Sequence, residues 1–338
     1  MLAVLIAVLP VTAFLLMLLL FDSFKLVPRV MLVTAIATGA VAAGVVLVLH
    51  AWLIPITGLD SATFARVVAP VTEETLKALC VLYPLRRAQL GFLVDAAIVG
   101  FAIGTGFALV ENVEYLLTLA DTRLWVWVAR GFGAALVHAA AAAIIAVLAK
   151  ALIDRYPSRG ALVLIPGWAV AVALHATYNR ALVSPVLAAA VLLLIVPLVV
   201  LAVFDRSERL TREWIGDGLD LDVELLALIR SAHFGTTRLG RYLTELRTRF
   251  PGPVVADMFC LLQVELELGI RAKGMLMARE AGLEVPIDDE VRAALAERAY
   301  LQEAIGPTGM LALRPLQVTS RRDDWHRYLL HHASRVKR

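Results

Sequence analysis

Seven stretches of this chain run apolar almost throughout, at roughly 1 to 21, 30 to 56, 62 to 83, 91 to 119, 123 to 153, 160 to 182 and 184 to 204. Crossing a bilayer's hydrocarbon core takes about 20 helical residues, and each stretch is long enough. A chain built this way is expected to be all-α, a polytopic membrane bundle of about seven transmembrane helices. Composition agrees: 60% of the 338 residues are hydrophobic and the mean hydropathy is +0.78, against an apolar share of about 45–50% for soluble domains. Residues 205–338 instead carry dense Arg, Asp and Glu. The expected division is a membrane region at 1–204 and a helical cytoplasmic tail at 205–338.

No basic residue precedes the first apolar run and no small-residue cleavage site follows it, so the run is expected to be the first span rather than a cleaved signal. Lys25 and Arg29, Arg86 and Arg87, and Lys150, Arg155 and Arg159 fall in alternate loops, and Arg206, Arg209 and Arg212 follow the last span. Basic residues gather on the cytoplasmic side. This predicts a multi-pass plasma-membrane protein with its N-terminus outside and its C-terminus in the cytoplasm. The net charge of +3 is small, the tail has no nucleotide-binding fingerprint, and no nucleic-acid partner is expected. Cys80 and Cys260 lack metal-ligand spacing and are expected to be packing residues.

Within the apolar runs several ionisable residues stand out: Glu73, Glu74 and Lys77 in the third, Asp95, Glu111 and Glu114 in the fourth, Arg130 and His138 in the fifth, and His175 in the sixth. A charge at mid-span costs roughly 2.5–3.5 kcal/mol on insertion scales, so each needs a partner, water or a function. At 1.5 Å per residue, Glu73 lies roughly 17 Å below the outer end of its span, His138 about 22 Å, Glu111 about 12 Å and His175 about 10 Å. All four fall between the middle and the outer third. Asp95 begins its span near the cytoplasmic face and is not expected to join them.

Taken alone, Glu73 with Lys77 reads as a neutralising ion pair, and His138 or His175 with Asn179 as interhelical packing. Their joint occurrence at overlapping depths reads as a site. Adjacent carboxylates repel, so Glu73 and Glu74 are expected to differ in ionisation, with Lys77 holding one charged. Either could be the base that activates water, with His175 and Asn179 donating to an oxyanion. A divalent metal, zinc, held by Glu111, His138 and His175 is the alternative. Without a His-Glu-x-x-His pair, metal-free glutamate chemistry is preferred. An ion- or proton-coupled transporter and a non-enzymatic membrane scaffold are the competing classes; a transporter commonly shows repeated halves, and neither polar motif is duplicated.

The segment Pro70-Val71-Thr72-Glu73-Glu74-x-x-Lys77, then Asp95, then Gly106-Phe107-Ala108-Leu109-Val110-Glu111-Asn112-Val113-Glu114-Tyr115, then His138, then His175-Ala176-Thr177-Tyr178-Asn179 resembles, in order, the PrsW family of bacterial intramembrane proteases. The wider group includes the CAAX prenyl endopeptidases, in which the position matching Glu111 is typically histidine. The resemblance covers about residues 60 to 182. It implies a protease domain at 1–204 that cuts single-span membrane proteins, the best-known member making the first, outer-side cut in a transmembrane anti-sigma factor during envelope stress. It also implies that Glu73 and Glu74 are catalytic, that Glu111 and His138 support them or bind metal, and that His175 and Asn179 stabilise the oxyanion.

Overall fold

The computed structural model describes residues 2–22, 25–87, 89–118, 124–182, 184–283 and 288–315. Every regular element among them is helical. The chain divides into two compact units, Met1–Glu208 and Arg209–Arg338.

The first unit contains α1 (Leu2–Phe21), α2 (Arg29–Thr57), α3 (Ser61–Arg86), α4 (Leu93–Thr118), α5 (Leu124–Ala129), α6 (Ala135–Arg155) and α7 (Leu164–Asn179). It also contains the apolar first half of α8 (Pro185–Arg230). A π-helical turn, Arg130–Ala134, joins α5 to α6 into one span. Among the described residues six helices are long and apolar enough to cross a membrane, one fewer than the apolar runs predict. The exception is α3. At 26 residues it is about 39 Å long, but it carries Glu73, Glu74 and Lys77. The bundle accommodates it by burying all three against protein.

The α4 helix sits at the centre, buried continuously from Val94 to Ala108. Its glycines bring neighbouring backbones into contact. A Cβ on Gly104 would lie 2.3 Å from the His138 carbonyl oxygen of α6, and one on Gly106 would lie 1.9 Å from the Ile36 carbonyl oxygen of α2. Small residues are what let helices approach this closely in a bilayer. That approach sets the α4 motif and His138 side by side. At the start of α3, Asp60 caps the helix by accepting from the N–H groups of Ala62 and Thr63 and from the Thr63 hydroxyl. The Thr63 hydroxyl and backbone N–H, with the Ala62 N–H, hold its carboxyl below the usual range.

In the second unit, the charged half of α8 is followed by α9 (Arg238–Leu246), α10 (Gly252–Glu280) and α11 (Asp289–Leu313). Leu261, Leu276, Met258 and Leu301 form part of its core. Lys273 donates to Asp222 and to the Gly218 carbonyl, each at 2.8 Å. At Gly306-Pro307 α11 is kinked, with Gly306 at φ 69° and ψ 172°. That backbone suits glycine. Cys80 and Cys260 are both free thiols.

Candidate active site

The polar turn of α3 is brought to α4, α6 and α7, and its two glutamates separate in role. Glu74 and Lys77 are wholly enclosed, at 0% exposure, and pair at 2.6 Å. Glu74 Oε1 also meets His175 Nδ1 at 2.8 Å. Glu73 faces the other way, into a cavity of about 1050 Å³ whose wall includes Glu111, Tyr115, Arg130, His138 and His175. Neither Glu74 nor Lys77 lines that cavity.

Hydrogen bonding fixes the orientation of both imidazoles. His175 carries its proton on Nδ1, toward the Glu74 carboxylate, so Nε2 is left as a lone pair 3.9 Å from Glu73 Oε2. His138 has Glu111 Oε2 at 2.7 Å from Nε2, which places the proton there and leaves Nδ1 as the acceptor. That Nδ1 lies 3.0 Å from Lys77 Nζ and 3.8 Å from Glu73 Oε2. The two rings meet edge to face, with centroids 4.8 Å apart. Each histidine is thus backed by a carboxylate on one nitrogen and turns the other toward Glu73.

The outer support comes from α4 and the π turn. Arg130 Nη2 lies 2.8 Å from Glu111 Oε2, and its Nε donates to Asn112 Oδ1 at 3.2 Å. The guanidinium also stacks over Tyr115 at 3.7 Å. π turns recur at functional sites, where they re-aim side chains. Here Tyr178 of α7 donates its hydroxyl to the Ala129 carbonyl just ahead of the turn, at 2.9 Å. Gly133 makes room, since a Cβ there would stand 2.0 Å from that hydroxyl.

A family model described as PrsW family intramembrane metalloprotease matches residues 27–204, more than half of the chain and all of the site. The chain belongs to this family. The chain is therefore a multi-pass membrane protein and an intramembrane peptidase. No curated protein and no solved structure matches it.

Two expectations are redrawn by the geometry. The side chains whose ligand atoms come within 4.8 Å of one another are Glu73, His138 and His175, so Glu73 stands where Glu111 was expected. Glu111 lies on the far nitrogen of His138, between that ring and Arg130. Asn179 lines the cavity, but its Nδ2 donates to the Ala65 carbonyl of α3 at 2.8 Å, tying α7 to α3. Asp95 stays out of the set, as expected. Its carboxylate accepts from the N–H groups of Gly91 and Phe92 at the start of α4.

The grouped residues fit a divalent metal. Glu73 Oε2 is a buried oxygen with no hydrogen bond; His175 Nε2 stands 3.9 Å from it, and His138 Nδ1, which accepts from Lys77, stands 3.8 Å from it. Tetrahedral zinc with ligands at about 2.0–2.1 Å puts neighbouring ligand atoms about 3.3 Å apart. The observed 3.8 and 3.9 Å are slightly wider than that. Glu74 and Glu111 occupy the outer positions from which carboxylates commonly orient metal-binding histidines.

Sequence reasoning missed His50 of α2, whose Nε2 lies 2.7 Å from Thr72 Oγ1 at the cavity wall. Its one signal was a single polar ring in an otherwise apolar span.

Proposed function

We propose that the protein cleaves single-span membrane proteins at a bond held in the α3–α4–α6–α7 cavity, with Glu73, His138 and His175 as the reacting centre. One observation carries this reading: the unpaired, buried Glu73 Oε2 lies within 3.9 Å of a ring nitrogen from each of two histidines, in a cavity large enough for a peptide segment. These three residues would hold zinc, the ion that this nitrogen and carboxylate set suits best among common catalytic metals. When bound, the ion supplies water activation and polarisation of the scissile carbonyl. The family's description as metalloproteases and the grouping of ligand atoms favour this over the metal-free chemistry preferred from sequence.

The protein's own residues do the rest. Glu74 keeps the His175 proton on Nδ1, and Glu111 keeps the His138 proton on Nε2, so both rings present their other nitrogen to the centre. Lys77 pairs with Glu74 at 2.6 Å; were zinc held at the centre, His138 Nδ1 would face it in place of the Lys77 ammonium that it now accepts from. Arg130 balances the Glu111 charge and, with Tyr115, offers donors in the cavity wall. The apolar remainder of the wall excludes water and accepts the flanking side chains of a membrane segment.

The positive-inside pattern supports an orientation with this centre in the outer half of the bilayer. That suits a first, outer-side cut, and we assign the substrate class as a transmembrane anti-sigma factor. The cytoplasmic tail then serves regulation or substrate tethering.

The test is cleavage of a single-span substrate by the reconstituted protein, with metal content measured on the same samples. Glu73→Gln is expected to lose at least about 100-fold in kcat, at the low end for a residue in direct acid–base or ligand contact. His175→Ala should lose zinc and activity together. Full activity in Glu73→Gln would overturn the assignment, and full activity without bound metal would leave Glu73 as the base of a metal-free hydrolysis.

A further inference from the structure

Six α2 residues line the cavity, Ala43, Val46, Leu47, His50, Ala51 and Ile54, and His50 is the one polar side chain among them. Its ring is fixed from two sides. Nε2 lies 2.7 Å from Thr72 Oγ1, and the Phe64 ring meets it edge-on with centroids 5.0 Å apart. The Thr72 hydroxyl has a single proton and lies 3.1 and 3.0 Å from the carbonyl oxygens of Val68 and Ala69, the usual back-bond of a helical threonine. With that proton spent, Thr72 accepts from His50 Nε2. Nδ1 is then left as an unprotonated acceptor, with no partner among the described residues.

His50 and Glu73 line the same cavity, and the Thr72 that anchors His50 immediately precedes Glu73 in α3. A peptide bond inside a transmembrane helix must leave the helix before its carbonyl can be attacked. Unwinding frees main-chain N–H groups in surroundings that contain little water, where each is costly unless it finds an acceptor. The α2 wall offers one such acceptor in an otherwise apolar surface.

We propose that His50 Nδ1 accepts a hydrogen bond from a main-chain N–H of the unwound substrate segment beside the scissile bond. The inference rests on the peptidase reading of the same cavity. It makes α2 a positioning subsite that reads the substrate's backbone, while Val46 and Leu47 accept apolar side chains of any shape. Selection on this side of the cut is accordingly for extended, apolar chain rather than for a particular residue.

A cycle between enzyme and substrate tests it. The probe is a synthetic single-span apolar peptide in proteoliposomes, with one backbone amide at a time on either side of the cleaved bond replaced by an ester, which removes the N–H donor. His50→Phe is expected to lower kcat/KM about tenfold, the scale of one hydrogen bond in a dry site. At one position the ester should cost wild type a similar factor and cost His50→Phe nothing, while His50→Gln, which retains an acceptor, recovers part of the rate. Should His50→Phe fail to fold, Thr72→Val, which removes the anchor of Nε2, takes its place in the same cycle. Additive effects at every position, with cleavage still abolished by Glu73→Gln, would sink the His50 role alone. Cleavage indifferent to Glu73→Gln would sink the reading beneath it.

Discussion

Lys77 and Glu74 are fully enclosed and lie behind the cavity wall rather than in it. Lys77 has Glu74 at 2.6 Å and His138 at 3.0 Å, and its ammonium lies 4.8 Å from the centre of the Phe107 ring. Removing one partner of a buried pair leaves the other charge uncompensated, which typically costs roughly 3–5 kcal/mol. Lys77→Met is therefore expected to destabilise the membrane unit by about that amount in detergent unfolding. Adding Glu74→Leu should restore part of the loss, because the orphaned charge goes with it. The sequence showed that these residues had to be accommodated, but adjacent positions looked equivalent in it. Only the rotation of α3 against its neighbours puts Glu73 in the cavity and Glu74 behind it.

Among the helices, α4 determines the spacing. Gly104→Ala drives a Cβ to within 2.3 Å of the His138 carbonyl oxygen, and overpacking of this kind costs about 1–3 kcal/mol. The same change at Gly44, where no atom lies within 4 Å of the added Cβ, should be near neutral. Thermal unfolding and cleavage rate of the two variants make the comparison. Tyr178→Phe removes the bond to Ala129, worth about 0.5–1.5 kcal/mol. Because that bond braces the start of the π turn, activity should fall further than stability. Depth along each span can be read by counting residues, and it brings Glu73, Glu111, His138 and His175 between the middle and the outer third of the bilayer. Which face each helix turns inward could not be read that way. The α4 helix is buried on nearly all sides, so its residues carry no apolar stripe to mark rotation. Counting therefore groups Glu111 with the ligands without showing that it stands behind His138, and it does not show that Asn179, in the cavity wall, donates to Ala65.

For the whole molecule, the proposed outer-side position of the site rests on the arrangement of basic loops. Single cysteines introduced into a background lacking Cys80 and Cys260 test it. Leu59→Cys should react with an impermeant maleimide on intact cells, and Ser158→Cys only after permeabilisation; the reverse pattern would move the site to the cytoplasmic half. The shift from apolar to charged composition near residue 205 is visible in the sequence. α8, however, runs as one helix of 46 residues from Pro185 to Arg230, longer than the apolar run that marks its first half. Helix formers continue past the point where hydropathy drops, so a change of solvent was visible in the sequence and the unbroken backbone was not.

The π turn at Arg130–Ala134 also governs where this span can gain or lose a residue. Eight regular α-helical steps turn through about 800°, leaving their ends about 80° apart in azimuth, whereas seven steps come within about 20° of closure. A π bulge absorbs one extra residue, so Arg130 and His138 share a partner in Glu111 although eight positions separate them. Deleting one residue inside the turn would convert it to plain α-helix and keep those two side chains in phase. The same deletion between Ala135 and Val137 would swing them apart by about 100°. This one turn is where the helix can change length without losing the alignment of its two ends.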